Sequence, residues 1–272
     1  MRLHLTFFAP TGLHPFALMS RLPFLRALIA LSAATILAAC AHLSHLSTVD
    51  PNVLWKIVSM QCVPAMRDHG NPGNCTSVDL QKRYAILKDI SGKSQHLLIP
   101  TDRVTGIESD QILYAGSPDY WVDAWGARHV VGDSLGHPLD DQQVGLEINS
   151  KFERTQQQLH IHIDCMRTDV MAALAAHRAD APLHWHWTTL DGHRYRVMRV
   201  TALNGSQDPF RLVARDHTDS AAMATQTILV TGASQSAAQG DWLVVNSGTD
   251  VDGGSGSAEV LLDHACKLAS GG

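Results

Sequence analysis

The chain has 272 residues, 45% of them hydrophobic, and a formal net charge of −5. That is enough chain for one large domain, or two modest ones, around an apolar core. The acidic balance excludes the basic field that holds nucleic acid, so no nucleic-acid partner is expected.

Residues 1–40 read as a membrane-targeting segment. From Met19 the order is Arg21 and Arg26, an apolar run from Leu28 to Ala39, and small residues ending at Cys40. This is the charge–apolar–small order of an export signal. The ending LAAC has the pattern of a bacterial lipobox, with Cys40 as the lipidated residue. The stretch before Met19 is long for such a region, which makes Met19 a candidate start. The apolar run with its flanks is also nearly long enough to cross a bilayer, so a retained anchor stands as the other reading. Both place the rest of the chain outside the cytoplasm, on a bacterial cell membrane. Residues 41–50 are polar and read as a tether to a single domain over 51–272.

Pro51 suits a first helical turn, and Val53, Ile57 and Val58 follow at helical spacing, predicting a helix there. With Cys40 set aside, four cysteines remain, an even number in a compartment that permits disulfides. Cys62 and Cys75 flank a polar loop rich in Gly, Pro and Asn and form the natural local pair, which leaves Cys165 for Cys266. RYAILKD and QHLLIPT around the turn ISGKS predict a hairpin, with Pro100 ending the second strand. Ser117 and Pro118 open a helix, with Trp121, Val122, Trp125 and His129 as a stripe toward a sheet. QQVGLEINS is a strand, KFERTQQ a loop, and QLHIHIDC the next strand. DVMAALAAHR is helical from Thr168 or Asp169. RYRVMRVTAL, ATQTILVTG, DWLVVNS and EVLLDHAC read as strands, with VDGGSGSAE as a loose connector. No internal repeat is visible. The class is α+β, an antiparallel sheet with helices against one face.

In QLHIHIDC, strand alternation sets Leu159, Ile161, Ile163 and Cys165 on one face and Gln158, His160, His162 and Asp164 on the other. A Gln–His–His–Asp face packs poorly, and its polar groups need partners. Spacing alone leaves three readings open. One is a metal site using His160, His162 and Asp164. Another is an imidazole nucleophile whose neighbours position a phosphate, and the third is a polar strand facing solvent. LHWHW repeats the spacing at His184 and His186, but Trp185 and Trp187 share the opposite face, as on an amphipathic or lipid-side edge. His193, His217 and His264 stand alone and read as structural or exposed.

YAILKDISGKSQHLLIPTDRVTGIES, INSKFERTQQQLHIHIDCMRTDV and the four cysteines together resemble the CDP-diacylglycerol pyrophosphatase family, a membrane-anchored branch of the histidine-triad superfamily. The resemblance covers residues 50–200 and then rests on DHACKL around Cys266. It implies a HIT-like sheet and hydrolysis of CDP-diacylglycerol to CMP and phosphatidate in phospholipid metabolism. It also implies a nucleotidyl-histidine intermediate, no metal or other cofactor, and a membrane lipid as partner. By its alignment His160 is the nucleophile, and His162, the third triad position, orients it and binds phosphate. Gln158 stands where the family has its first histidine; an amide donates to phosphate but does not titrate near neutral pH. Asn149 and Thr155 fall where the family places polar groups for phosphate or ribose. Lys88, beside Asp89 at the hairpin tip, is a further phosphate candidate. The alternatives are a hydrolase or transferase of soluble nucleotides and a non-enzymatic, exported metal-binding lipoprotein.

Overall fold

The computed structural model describes residues 50–235 and 240–267; Met19, Cys40 and the rest of the expected targeting segment lie outside them. Among the described residues no helix is long and apolar enough to cross a membrane. The first helix, Val53–Ile57, passes through a π turn at Val58–Cys62 into Val63–His69 and stops at Gly70, whose φ of 66° favours glycine. Half of the expected loop between Cys62 and Cys75 is therefore helix, and the two cysteines are joined.

Among the described residues nine strands follow: β1 (Ser77–Asp79), β2 (Tyr84–Lys88), β3 (His96–Pro100), β4 (Val144–Ile148), β5 (Ile161–Cys165), β6 (His186–Leu190), β7 (His193–Val200), β8 (Gln226–Gly232) and β9 (Trp242–Gly248). They form one sheet in the order β1-β2-β3-β5-β4-β8-β9-β7-β6, and every neighbouring pair is antiparallel. This order contains a repeat. β2-β3-β5-β4 and β6-β7-β9-β8 are the same arrangement: a hairpin, helices, then two strands of which the last inserts between the hairpin and the third. The halves meet at the β4–β8 pair. The repeat escapes the sequence because the halves differ in what they bury. β5 carries His162 and Asp164 where β9 carries Leu243 and Val245.

Helices cover both faces, not one. On the first face Tyr120–Ala127, His129–Leu135 and Pro209–Ala214 pack over Ile86, Leu98, Ile161, Leu146 and Val230. Trp121 lies 5.1 Å from Phe210, and Trp125 meets Trp242 edge-on at 6.0 Å. Val122 and His129, expected on the same stripe, point outward. The helix ends at Ala127 and a second begins at His129, and between them Arg128 turns to Asp141 at 2.6 Å.

The second face carries two separate apolar clusters. One joins Val58 and Cys62 to Ala85, Leu87, Leu97 and Ile99. The other joins Val170 and Leu174 of helix Thr168–Leu174 to Leu229, Leu243 and Val245. Between them the sheet is polar. EVLLDHAC, expected as a strand, crosses this gap as a short 3-10 turn at Glu259–Leu261 and a single bridge from Leu262 to Met166. It cannot continue as a strand, because the Asp263 carboxylate accepts from the N–H groups of Ala265 and Lys267 and Cys266 takes a φ of 46°. Cys266 there closes the second expected disulfide with Cys165.

Candidate active site

One row of cross-strand partners runs over the second face: Leu87, Leu97, His162, Glu147, Leu229 and Val245. Its two central members are polar and buried, so each needs a partner. His160, just before β5, is also buried, as are Gln158 and Asp164. The polar face of the strand is thus an interior, roofed by residues 256–266. Ser150 donates from its N–H to Gly256 O at 2.9 Å, Asp263 from its N–H to Cys165 O at 2.8 Å, and Lys93 from its N–H to His264 O at 2.9 Å.

His160 Nδ1 lies 2.7 Å from Gln158 O. A carbonyl only accepts, so Nδ1 carries the hydrogen and Nε2 the lone pair. Burial, with His162 adding to it, lowers the His160 pKa to about 4, and the ring is neutral at pH 7.

For His162 the tautomer is opposite. Gln95 Nε2 stands 3.1 Å from Asp89 Oδ2 and 2.5 Å from His162 Nδ1. The Asp89 carboxylate can only accept, which turns the amide nitrogen of Gln95 toward it. The second amide hydrogen then goes to His162 Nδ1, and the ring's own hydrogen sits on Nε2. That Nε2 is buried with no partner among the described residues. Burial, then His264, lowers this ring's pKa to about 3. Two neutral rings with centroids 5.0 Å apart therefore offer one lone pair and one N–H. Gln95→Leu removes the group that sets the His162 tautomer. Steady-state kinetics of that variant are expected to show kcat down about 10–100-fold with little change in KM.

Two further groups enter from the roof. His264 Nδ1 lies 2.9 Å from Asp164 Oδ2, and Asp164 Oδ1 accepts from Ser94 Oγ at 3.0 Å. Glu259 Oε1 stands 3.6 Å from His162 Nδ1 and 3.5 Å from His264 Nε2, while its Oε2 accepts from Asn149 Nδ2 at 2.7 Å. Glu147 is fully buried, and burial with the nearby Glu259 pushes its pKa well above the ordinary carboxyl range. Glu147, His162 and Glu259 offer donor atoms within 4.8 Å of one another, the spacing of a cation site. Gln95 already engages His162 Nδ1, and the set is not assigned as a metal centre.

Of the residues singled out in the sequence, His160, His162 and Asn149 converge on this chamber. Gln158 touches it through its carbonyl only, since its amide donates to Pro100 O at 3.1 Å and Asp102 O at 2.9 Å. Thr155 is exposed on the preceding loop. Lys88 folds its Nζ onto the carbonyls of Asp89 at 2.8 Å and Gly92 at 3.2 Å, bracing its own hairpin. The metal-site reading with His160, His162 and Asp164 meets bonds that already engage Asp164, to Ser94 and His264. Gln95, Glu147, Glu259 and His264 went unnoticed as site residues. The glutamate in VGLEI, alone at a buried position of an apolar strand, was the one available signal.

Among known protein families, the model of CDP-diacylglycerol pyrophosphatase matches residues 49–270. The chain belongs to this family. It is also similar to a Yersinia pestis protein named CDP-diacylglycerol pyrophosphatase, with 40% identity over 237 residues, 86% of this chain and 91% of that protein. The match spans both halves of the sheet and the roof, well beyond the stretches that carried the resemblance in sequence. Hydrolysis at the diphosphate bond of CDP-diacylglycerol, the reaction expected from the sequence, is the activity for which this family is named.

Proposed function

We propose that the protein hydrolyses CDP-diacylglycerol to CMP and phosphatidate through a cytidylyl-His160 intermediate. The observation that carries this reading is the opposed pair of tautomers. His160 Nε2 has a free lone pair because Nδ1 is committed to Gln158 O, and His162 Nε2 has a hydrogen that no group among the described residues receives. A nucleophile beside an N–H donor suits attack on the nucleotide phosphorus, with charge on the equatorial oxygens held by His162. Phosphatidate leaves as a monoester whose second pKa is near 6, a good leaving group. Water then cleaves the N–P bond and frees CMP. The arrangement is read as a histidine-triad type of fold in which an amide, Gln158, stands at the first position and contributes its backbone.

We further propose that residues 1–40 hold the domain at the outer face of the bacterial inner membrane, by lipidation at Cys40 or by a retained span. A double-chain lipid stays in the bilayer, and tethering raises the enzyme's effective concentration at its headgroup. In support, the first described residues bond to the loop leading into His160. Asp50 O accepts from Gln156 Nε2 at 3.1 Å and Pro51 O from the Gln157 N–H at 2.6 Å. Asp50 and Pro51 thus lie beside the loop that leads into the site.

Rapid quenching of enzyme with CDP-diacylglycerol, followed by peptide mass analysis, tests the mechanism. Cytidylyl adduct on His160, formed at the rate of turnover, is expected. Adduct on another residue, or turnover with none formed, removes His160 from this role.

A further inference from the structure

His160 and His162 leave one chemical need unmet. Hydrolysis of a phosphorus–nitrogen bond requires a group that accepts a proton from water, and both rings are poised for other tasks. His160 is the attacked ligand in that step, and His162 Nδ1 is held by Gln95. Glu147 is enclosed and driven toward its protonated form. His264, which the sequence left as a lone histidine, answers the need by its position.

Its ring is seated from several sides. Nδ1 donates to Asp164 Oδ2, a carboxylate with no solvent exposure that is itself fixed by Ser94. The main chain is pinned by the Lys93 N–H on His264 O and by the Cys165–Cys266 disulfide close behind. This leaves Nε2 as the exchanging atom, and it faces the chamber, where Glu259 Oε1 lies between it and His162. The side chain is 39% exposed, so water reaches it while His160 and His162 are closed off. Around it stand Asp164 on β5, Glu259 and Asp263 on the roof, and Asp89 and Lys93 on the hairpin loop. The bond from Asp164, with the charges of Asp164, Glu259 and Asp89, raises its pKa above the ordinary histidine value.

We propose that His264, held by Asp164, is a further catalytic residue, the acid and then the base of both half-reactions. The proposal rests on the cytidylyl-His160 reading. In the first half, the His160 Nε2 lone pair forms the N–P bond and the electrons of the breaking P–O bond go to the phosphatidate oxygen. That oxygen takes the Nε2 proton of His264. In the second half, neutral His264 accepts a proton from water as the water oxygen attacks phosphorus, and the N–P electrons return to His160. His264 ends protonated, as it began. The Glu259 carboxylate occupies the point where His264 and Asn149 converge, and substrate phosphate takes its place during turnover.

The test compares His264→Gln, His264→Ala and Glu259→Gln with wild type on CDP-diacylglycerol micelles, after circular dichroism has established that each is folded. His264→Gln is expected to lower kcat about 100–1,000-fold, to accumulate cytidylyl-enzyme after quench, and to lose the wild-type pH dependence of kcat near neutrality. Added imidazole is expected to restore part of the His264→Ala activity, a rescue that a structural role would not give. Wild-type kcat and pH profile in His264→Gln overturn the proposal, as does loss of proton transfer in Glu259→Gln alone, which moves the role to that carboxylate. Absence of any cytidylyl adduct in wild type instead overturns the reading on which the proposal rests, whatever His264 variants do.

Discussion

His160→Ala is expected to lower CMP release from CDP-diacylglycerol micelles by about four orders of magnitude, with chelator present throughout and with the fold retained. The neighbouring ring, His162, cannot take over. His162 carries its hydrogen on the atom left free, and the lone pair on Nδ1 is held by Gln95. The pH behaviour of wild type gives a second check. With a pKa of about 4, His160 is deprotonated across the neutral range, so any activity change above about pH 6 belongs to other groups. Stability should move in the opposite sense to a paired histidine. The folded pKa lies below the unfolded value near 6.5, so the unfolded chain binds the proton first as pH falls. Wild type therefore loses stability from about pH 6.5 down to pH 4, and His160→Ala escapes its share. Denaturation midpoints of the two proteins are expected to converge as pH is lowered over that window; midpoints that stay parallel would show that His160 does not titrate with a lowered pKa.

Hairpins and paired strands were legible because short apolar runs with Gly-containing turns define them locally. β2 and β3 around ISGKS are the clearest case, and the disulfide pairing was legible by counting. His160 and His162 stood out because imidazoles on every second position of an apolar strand are poor packing material. What escaped was non-local. Asp164 looked like one more member of a polar face, but its partners are Ser94 and His264, one on another strand's approach and one near the C-terminus. His264 is undistinguished in sequence, since its role comes from the Asp164 carboxylate beneath it. The roof was misread as a strand because EVLL has strand composition. Its conformation is set by the Asp263 cap and the Cys266 cross-link, neither of which shows in apolar patterning.

The repeat explains why the site lies where it does. Both halves present the same last strand beside their hairpin, and both receive helices on the first face. On the second face, β9 is closed by apolar contacts to helix Thr168–Leu174 and to Leu261. β5 is instead closed by a polar roof. The apolar half gives the sheet its stability, while the polar half bears buried imidazoles and carboxyls that no apolar packing compensates.

Removing the roof's covalent tie is the prediction with the largest combined effect on stability and rate. Cys165 and Cys266 are 101 residues apart, whereas Cys62 and Cys75 are 13 apart. In the chain-entropy model the long closure contributes about 4–5 kcal/mol and the short one about 3 kcal/mol. Cys165→Ala with Cys266→Ala is expected to lower Tm by about 10 °C, and Cys62→Ala with Cys75→Ala by somewhat less. The activities should separate more sharply than the stabilities. The long disulfide joins β5 to the segment carrying Glu259 and His264, so its loss frees those groups from Asp164 and Asn149. The short one joins the first helical segment to the turn before β1, over the apolar cluster at the other end of the face. Measured at a temperature where both variants are folded, kcat should fall at least about tenfold in the first and stay near wild type in the second. Equal kcat in the two would mean that hydrogen bonds alone, from Lys93, Asp263 and Ser150, hold the roof in register, and that the disulfide serves only the fold.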